Sequence, residues 1–327
     1  MKPSFPVFFS MCILYTLNAC SSTRDQDAPP LEDLSNVWKV RLVGSTPCDP
    51  SVREMIGIPK EASGDFIRWK LDLTEKSKRT VPLYGSFRLQ ADYGIGKNGT
   101  PWFKPDSGSV IHSGRYGTVE GFNEDPSIRL IRFYRGDNRS YQVTLLRLND
   151  NVYHLISNDQ KLMVGNGGWS FTLNRSSTST STSTIEDTRL PAITHSVLFV
   201  DDSTISTSYV ARTPSQPFAA DYNLEIEPEW KKLKWLLKLY RDSVTFQPTT
   251  YSLARTDDRP TESTGRWQIL RGIPGNPSIV VFQLDHDIPE KTTSLLYGDQ
   301  NVLFLLTKQN QLYVGNDDFS FTFNRRE

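Results

Sequence analysis

The chain has 327 residues, with 37 basic and 37 acidic side chains and a formal net charge of zero. That length admits two domains at about 100–200 residues each. A balanced charge gives no electrostatic footprint for nucleic acid, so no nucleic-acid partner is expected.

The chain opens Met1-Lys2, runs apolar from Phe5 to Leu17 and closes with Leu17-Asn18-Ala19-Cys20. One early positive charge, a short apolar core and a small residue before the break form a secretory leader, residues 1–19. The core is roughly a dozen residues, where a spanning helix needs about 20. Leu17-Asn18-Ala19-Cys20 resembles the bacterial lipobox. The resemblance implies cleavage between Ala19 and Cys20, diacylglycerol on the Cys20 sulfur and an acyl chain on its freed amino group. Several acyl chains anchor firmly where one is marginal. The expected membrane partner is thus reached through a lipid anchor, and Ser21 matches sorting to an outer membrane, on either its periplasmic or its surface face. Residues 20–35 are polar, include Pro29-Pro30, and read as a lipidated tether. No cofactor other than the covalent lipid on Cys20 is expected.

Beyond the tether the chain is one domain written twice. Val152 to Arg175 reads VYHLISNDQKLMVGNGGWSFTLNR, and Val302 to Arg325 reads VLFLLTKQNQLYVGNDDFSFTFNR. Upstream, Arg68-Trp69 matches Lys234-Trp235, Gly114-Arg115-Tyr116 matches Gly265-Arg266-Trp267, and Asp125-Pro126-Ser127-Ile128 matches Asn276-Pro277-Ser278-Ile279. A period this long means tandem domains, since solenoid units run about 20–50 residues. The copies span 36–175 and 189–327. Between them, 176–188 holds the Ser/Thr run Ser176–Thr184, which has nothing to bury and reads as a linker. Each copy is expected to own a core and fold as a separate unit.

The local pattern is β. Ile67, Trp69, Leu71 and Leu73 alternate with polar residues, as do Leu233, Trp235, Leu237 and Leu239, which puts each set on one face. Trp69 and Trp235 are therefore expected to be equivalent core anchors. Trp169, Phe171 and Leu173 alternate with Ser170, Thr172 and Asn174; Phe319, Phe321 and Phe323 alternate with Ser320, Thr322 and Asn324. Asn166-Gly167 is a hairpin-turn signal. Glu229–Tyr240 has a helical composition, but the repeat aligns its latter half with a strand. The fold class is all-β: two tandem antiparallel, β-barrel-like, lipocalin-like domains. Each copy suits about eight strands, and closure removes exposed edges.

Gly44-Ser45-Thr46-Pro47-Cys48 precedes the Ile58–Leu73 stretch, and the copy ends in the hairpin Leu162-Met163-Val164-Gly165-Asn166. Together these resemble the N-terminal domain of NlpE-type copper-resistance envelope lipoproteins, in a Bacteroidetes-like form. The resemblance implies a lipobox, a small barrel similar to lipocalins, envelope stress sensing and copper tolerance. The family's Pro-Cys usually begins a Cys-x-x-Cys. Here Asp49-Pro50-Ser51 follows Cys48, and the second copy has Arg212-Thr213-Pro214-Ser215 in its place.

Copper(I) prefers thiolate and thioether ligands. The mature chain offers Cys48, Met55 and Met163 without clustered spacing, and its histidines, His112, His154, His195 and His286, are scattered. Cys48 reads first as a small buried hydrophobe and second as a thiol or metal contact; no metal site is assigned. Asp285-His286-Asp287 reads as a solvated strand end. With no nucleophile elbow or phosphate loop, no catalytic residue is assigned and no enzyme is expected. Ser170, Thr172, Asn174, Ser320, Thr322 and Asn324 are either hydrogen-bonded to an adjacent loop or domain mouth, or a polar ligand face. Trp69, Trp102, Tyr116 and Trp169 read as core or rim. The expected function is a non-enzymatic binding, sensing or structural role in the bacterial envelope, with a small ligand or an envelope protein as partner. The alternatives are copper handling, carried by the resemblance, and, more weakly, an envelope enzyme.

Overall fold

The computed structural model describes residues 38–75, 84–97, 103–122, 125–134, 143–177, 190, 205–227, 230–256 and 261–326. The leader, Ala19, Cys20, the tether, Trp102, His195 and most of the Ser/Thr linker lie outside the described residues.

The chain forms two closed antiparallel barrels of eight strands each. The first is built from β1 (Trp38–Pro47), β2 (Phe66–Glu75), β3 (Tyr84–Gly94), β4 (Gly108–Phe122), β5 (Asp125–Tyr134), β6 (Thr144–Arg147), β7 (Val152–Ile156) and β8 (Thr172–Arg175). The second repeats the plan with β9 (Ser206–Pro214), β10 (Lys232–Arg241), β11 (Pro248–Thr256), β12 (Thr261–Ile273), β13 (Asn276–Leu284), β14 (Thr293–Asp299), β15 (Val302–Leu305) and β16 (Thr322–Arg326). Neighbours in sequence pair throughout, and β8 returns to β1 as β16 returns to β9. The helical composition around Glu229–Tyr240 yields to strand β10, whose alternating side chains suit a barrel wall.

Period-two alternation sends one set of side chains into each barrel. Trp69 and Trp235 are both buried and make the same bond: the indole N–H donates to Thr46 Oγ1 at 2.8 Å in one and Thr213 Oγ1 at 2.9 Å in the other. Equivalent bulges bend β4 at Gly121 and β12 at Gly272, whose φ values of 93° and 82° favour glycine.

A short helix follows the first strand of each barrel and closes one end. Helix α1 (Pro50–Ile56) has Asp49 as its cap, with the carboxylate accepting from Val52 N at 3.0 Å, Pro50 in its first turn and Gly57 at φ 70° past its end. Val52 and Ile56 point into the first core. Helix α2 (Ser215–Tyr222) inserts Phe218 edge-on against Trp235, ring centres 4.9 Å apart.

The barrels differ from a free-standing pair in one respect. Every residue of β7 and β15 is buried, as are all but the end residues of β14 and the central Leu145 and Leu146 of β6, so these strands are covered on both faces. Tyr153 and Leu155 face the first barrel's interior, whereas Val152 and Ile156 join a third apolar cluster. That cluster combines Ile128, Leu130, Leu146 and Leu148 of the first barrel with Ile279, Val281, Leu296, Val302 and Phe304 of the second. Burying an apolar side chain of this size stabilises by about 1.5–3 kcal/mol. The copies therefore each own a core and also share one.

Candidate functional site at the seam between the barrels

The polar residues of the last strands lie at the centre of this seam. Ser170 Oγ meets Ser320 Oγ at 2.5 Å, and Thr172 Oγ1 meets Thr322 Oγ1 at 2.7 Å. Each is its own counterpart in the other copy, so these pairs mark a pseudo-two-fold axis. Around it the bonds are reciprocal: Gly165 N donates to Asn324 Oδ1, and Gly315 N donates to Asn174 Oδ1, both at 2.7 Å. Glycine is required at 165 and 315 because a Cβ would come within 2.2 and 2.3 Å of the Trp169 and Phe319 carbonyl oxygens. All six polar side chains are buried. Across the seam the Ser and Thr side chains bond one another, and the Asn side chains bond the facing hairpin loops.

His154 extends this network. It is fully buried, with Nε2 2.9 Å from Met163 O and Nδ1 2.9 Å from Thr172 Oγ1. A carbonyl only accepts, so Nε2 carries the hydrogen and Nδ1 accepts from the Thr172 hydroxyl. Thr172 oxygen in turn accepts from Thr322. The imidazole stands edge-on to Phe304, its own counterpart in the repeat, with ring centres 5.4 Å apart. Burial lowers the His154 pKa to about 4, against the hydrogen bond from the ring to Met163 O.

The hairpin tips reach across the seam. Asn166 Oδ1 accepts from Gly168 N and Trp169 N at 2.9 and 3.1 Å, and Asn316 Oδ1 accepts from Asp318 N and Phe319 N at 3.0 and 2.9 Å. Both tips are therefore side-chain-closed turns. Trp169 stacks on Phe66 at 4.6 Å, and Phe66 stacks on Phe103 at 4.6 Å, forming a rim ladder. Trp69 and Tyr116 are core, and Trp169 is rim.

Cys48 lies apart from the seam, buried where β1 meets α1. Its thiol packs against Gly64, where a Cβ would stand 3.0 Å from the sulfur. Burial pushes the thiol pKa up, against a hydrogen bond with Arg53 that pulls it down. Among the described residues no group of three His, Cys, Asp or Glu side chains converges. Asp285 occupies the turn after β13, where it accepts from the Tyr251 hydroxyl at 2.6 Å; this is a structural bond at the end of the second barrel.

Among the described residues, aromatic and aliphatic side chains pack into a core cluster in each barrel. One apolar void beside Phe218, Trp235, Leu253 and Phe323 has room for about one water and no polar wall to hold it.

No protein-family model, no curated protein and no solved structure matches this chain.

Proposed function

We propose that this chain is a lipid-anchored protein of the bacterial envelope, with a non-enzymatic binding, sensing or structural role carried out on the outer surface of its double barrel. The observation that carries the reading is Leu17-Asn18-Ala19-Cys20 after a short apolar leader, with a polar tether behind it. Two features of the barrels support it. Each barrel has a packed core cluster of aromatic and aliphatic side chains, which favours the outside as the binding surface. Their shared core joins them, so that a tether at one end would carry a single unit.

The test is metabolic labelling with a fatty acid. Wild-type protein should incorporate label and partition into membranes, and Cys20→Ala should do neither. Label retained by Cys20→Ala at the wild-type level would overturn the anchor. Copper handling, the alternative drawn from the NlpE-type resemblance, predicts stoichiometric copper(I) uptake by the purified chain that Cys48→Ala abolishes.

A further inference from the structure

The seam is two-fold in its backbone and not in its charge. On one flank Ser45 and Arg68, cross-strand neighbours on β1 and β2, meet the second barrel's tip. Ser45 Oγ donates to Asp317 O at 2.8 Å, and Arg68 Nη2 pairs with Asp318 Oδ1 at 2.6 Å. The pseudo-two-fold carries Ser45 to Arg212, Arg68 to Lys234, and Asp317-Asp318 to Gly167-Gly168. Arg212 and Lys234 are again cross-strand neighbours, now on β9 and β10. Here Arg212 lies beside Gly168, and neither 167 nor 168 carries a carboxylate.

Arg212 is half-buried, with its guanidinium 5.7 Å from the centre of the Trp169 ring and close to Gly168. Burial lowers its pKa, and among the described residues no carboxylate pairs with it. Lys232 lies on the same outer face of β10, with Nζ 5.5 Å from the Phe319 ring. Burial lowers the pKa of Lys232, and Arg212 and Lys234 lower it further; Asp318 opposes them but is already bound to Arg68. The first flank holds a cation with its carboxylate, and among the described residues the second holds three cations with no ion pair of its own.

The geometry points to a binding site for a phosphate-class oxyanion on this second flank, with Arg212 and Lys234 as direct ligands, Lys232 as an outer cation and Trp169 as a wall. The anion supplies the charge that Asp318 supplies on the first flank. A guanidinium suits this task because its fork can hold two oxygens of a phosphate at once. Free phosphate esters and the phosphates of lipid headgroups share this chemistry. The site gives a ligand class to the binding role proposed above and in that sense rests on it; the free-phosphate arm stands whether or not Cys20 is acylated.

The test uses the purified full chain at low ionic strength. It is titrated with inorganic phosphate by calorimetry and, separately, with vesicles of phosphatidylglycerol or of phosphatidylcholine. The diagnostic variant is Gly168→Asp, which copies Asp318. Gly168 has no positive φ, and a Cβ there would stand 3.1 Å from Asn166 Oδ1 and 3.5 Å from Arg212 Nη1. The new carboxylate should pair with Arg212 and hold or raise the melting temperature, so that lost binding is not lost folding. Arg212→Ser copies Ser45 and is the second variant; Lys60→Ser, an exposed cation elsewhere, is the control. Saturable phosphate binding that weakens at least tenfold in Gly168→Asp and Arg212→Ser, but not in Lys60→Ser, supports the site with a free ligand. The same pattern with phosphatidylglycerol vesicles alone supports a headgroup. The proposal is overturned by no binding in either arm, or by binding that the two seam variants leave unchanged.

Discussion

The two barrels share one fold and diverge in a patterned way. Where a side chain hydrogen-bonds its own counterpart or closes a reciprocal bond across the seam, the copies are identical: Ser170 and Ser320, Thr172 and Thr322, Asn174 and Asn324, Gly165 and Gly315. Elsewhere they differ in charge and polarity. His154 meets its own counterpart Phe304 through a ring contact without a hydrogen bond, and there the copies differ. Asn149 accepts from Asn151 N and Val152 N at 2.8 Å, and Asp299 does the same job for Asn301 N and Val302 N at 2.7 and 2.9 Å. Asp318 stands where the first copy has Gly168. A side chain that bonds its own counterpart needs a partner of the same kind, so a change there alters both sides of one hydrogen bond. A residue that makes no such bond, His154 against Phe304 included, is free to specialise. The contrast separates where the shared structure is held from where each barrel can carry something of its own.

The greatest loss should fall in the core. Trp69→Ala should cost about 3–5 kcal/mol through lost contact and cavity. Trp235 borders the small void beside Phe218, which gives its surroundings more room to relax, so Trp235→Ala should lie at the lower end of the same range. Denaturant melts of both variants check this. Equal costs would show that the two anchors are energetically interchangeable after all.

Next is His154, a fully buried polar group of the seam at a position where the other copy is apolar. Its folded pKa of about 4 lies below its ordinary 6.5, so within that window the unfolded chain binds the proton more readily. The His154 contribution therefore falls as the pH drops from about 6.5 to about 4, by about 3 kcal/mol in all. His154→Phe, copying Phe304, should remove that slope. It should also lower stability at pH 7, because Met163 O and Thr172 lose their partner. Stability measured against pH for both proteins decides it; an unchanged slope would place the titration elsewhere.

The reciprocal bonds come third. Asn174→Ala leaves Gly315 N without its acceptor, and Asn324→Ala does the same to Gly165 N. Each should cost about 1–3 kcal/mol, the desolvation of an unpaired buried group. Because the bonds are equivalent, equilibrium unfolding should give the two variants matching losses. A marked inequality would break the two-fold symmetry of the seam.

The weakest effect should be at Asp299, where burial raises the carboxyl pKa to about 6 from 3.8, against two backbone N–H donors. Here the folded chain binds the proton more readily, so stability is lost as the pH rises from about 3.8 to about 6. This slope opposes that of His154. Asp299→Asn, copying Asn149, should gain of the order of 1–2 kcal/mol at pH 7, allowing for partial exposure, and nothing below pH 4. Thermal melts at both pH values check it.

Much of the fold was legible. The alternation in Ile67–Leu73 and Leu233–Leu239 marked the strands and the tryptophan anchors, because one face of each strand meets water. The repeat revealed the duplication and turned Glu229–Tyr240 from helix to strand. Two signals went unread. Asp49-Pro50 with Gly57 seven residues on is a cap, a first-turn proline and a stop, and it marks α1. The runs Val152–Ile156 and Val302–Leu306 are apolar or buried at every position, the pattern of strands covered on both faces. Those runs announced the seam. From their own alternation alone, Ser170, Thr172 and Asn174 keep two open interpretations, since a polar face looks alike in sequence whether water, a ligand or a second domain covers it. Neither the charge asymmetry of Arg212 and Lys234 against Gly167-Gly168 nor the depressed His154 could be found from one strand alone; both need the partner barrel.

The shared cluster and its two-fold hydrogen bonds make the two barrels one body. Cleavage at a protease site placed within Ser176–Thr184 puts that to the sharpest test. The severed halves should elute and sediment together as a one-to-one complex at micromolar concentration, and Thr172→Lys, which buries a charge at the axis, should separate them. Halves of the unaltered sequence that part on cleavage, each keeping its own melting transition, would contradict a single body.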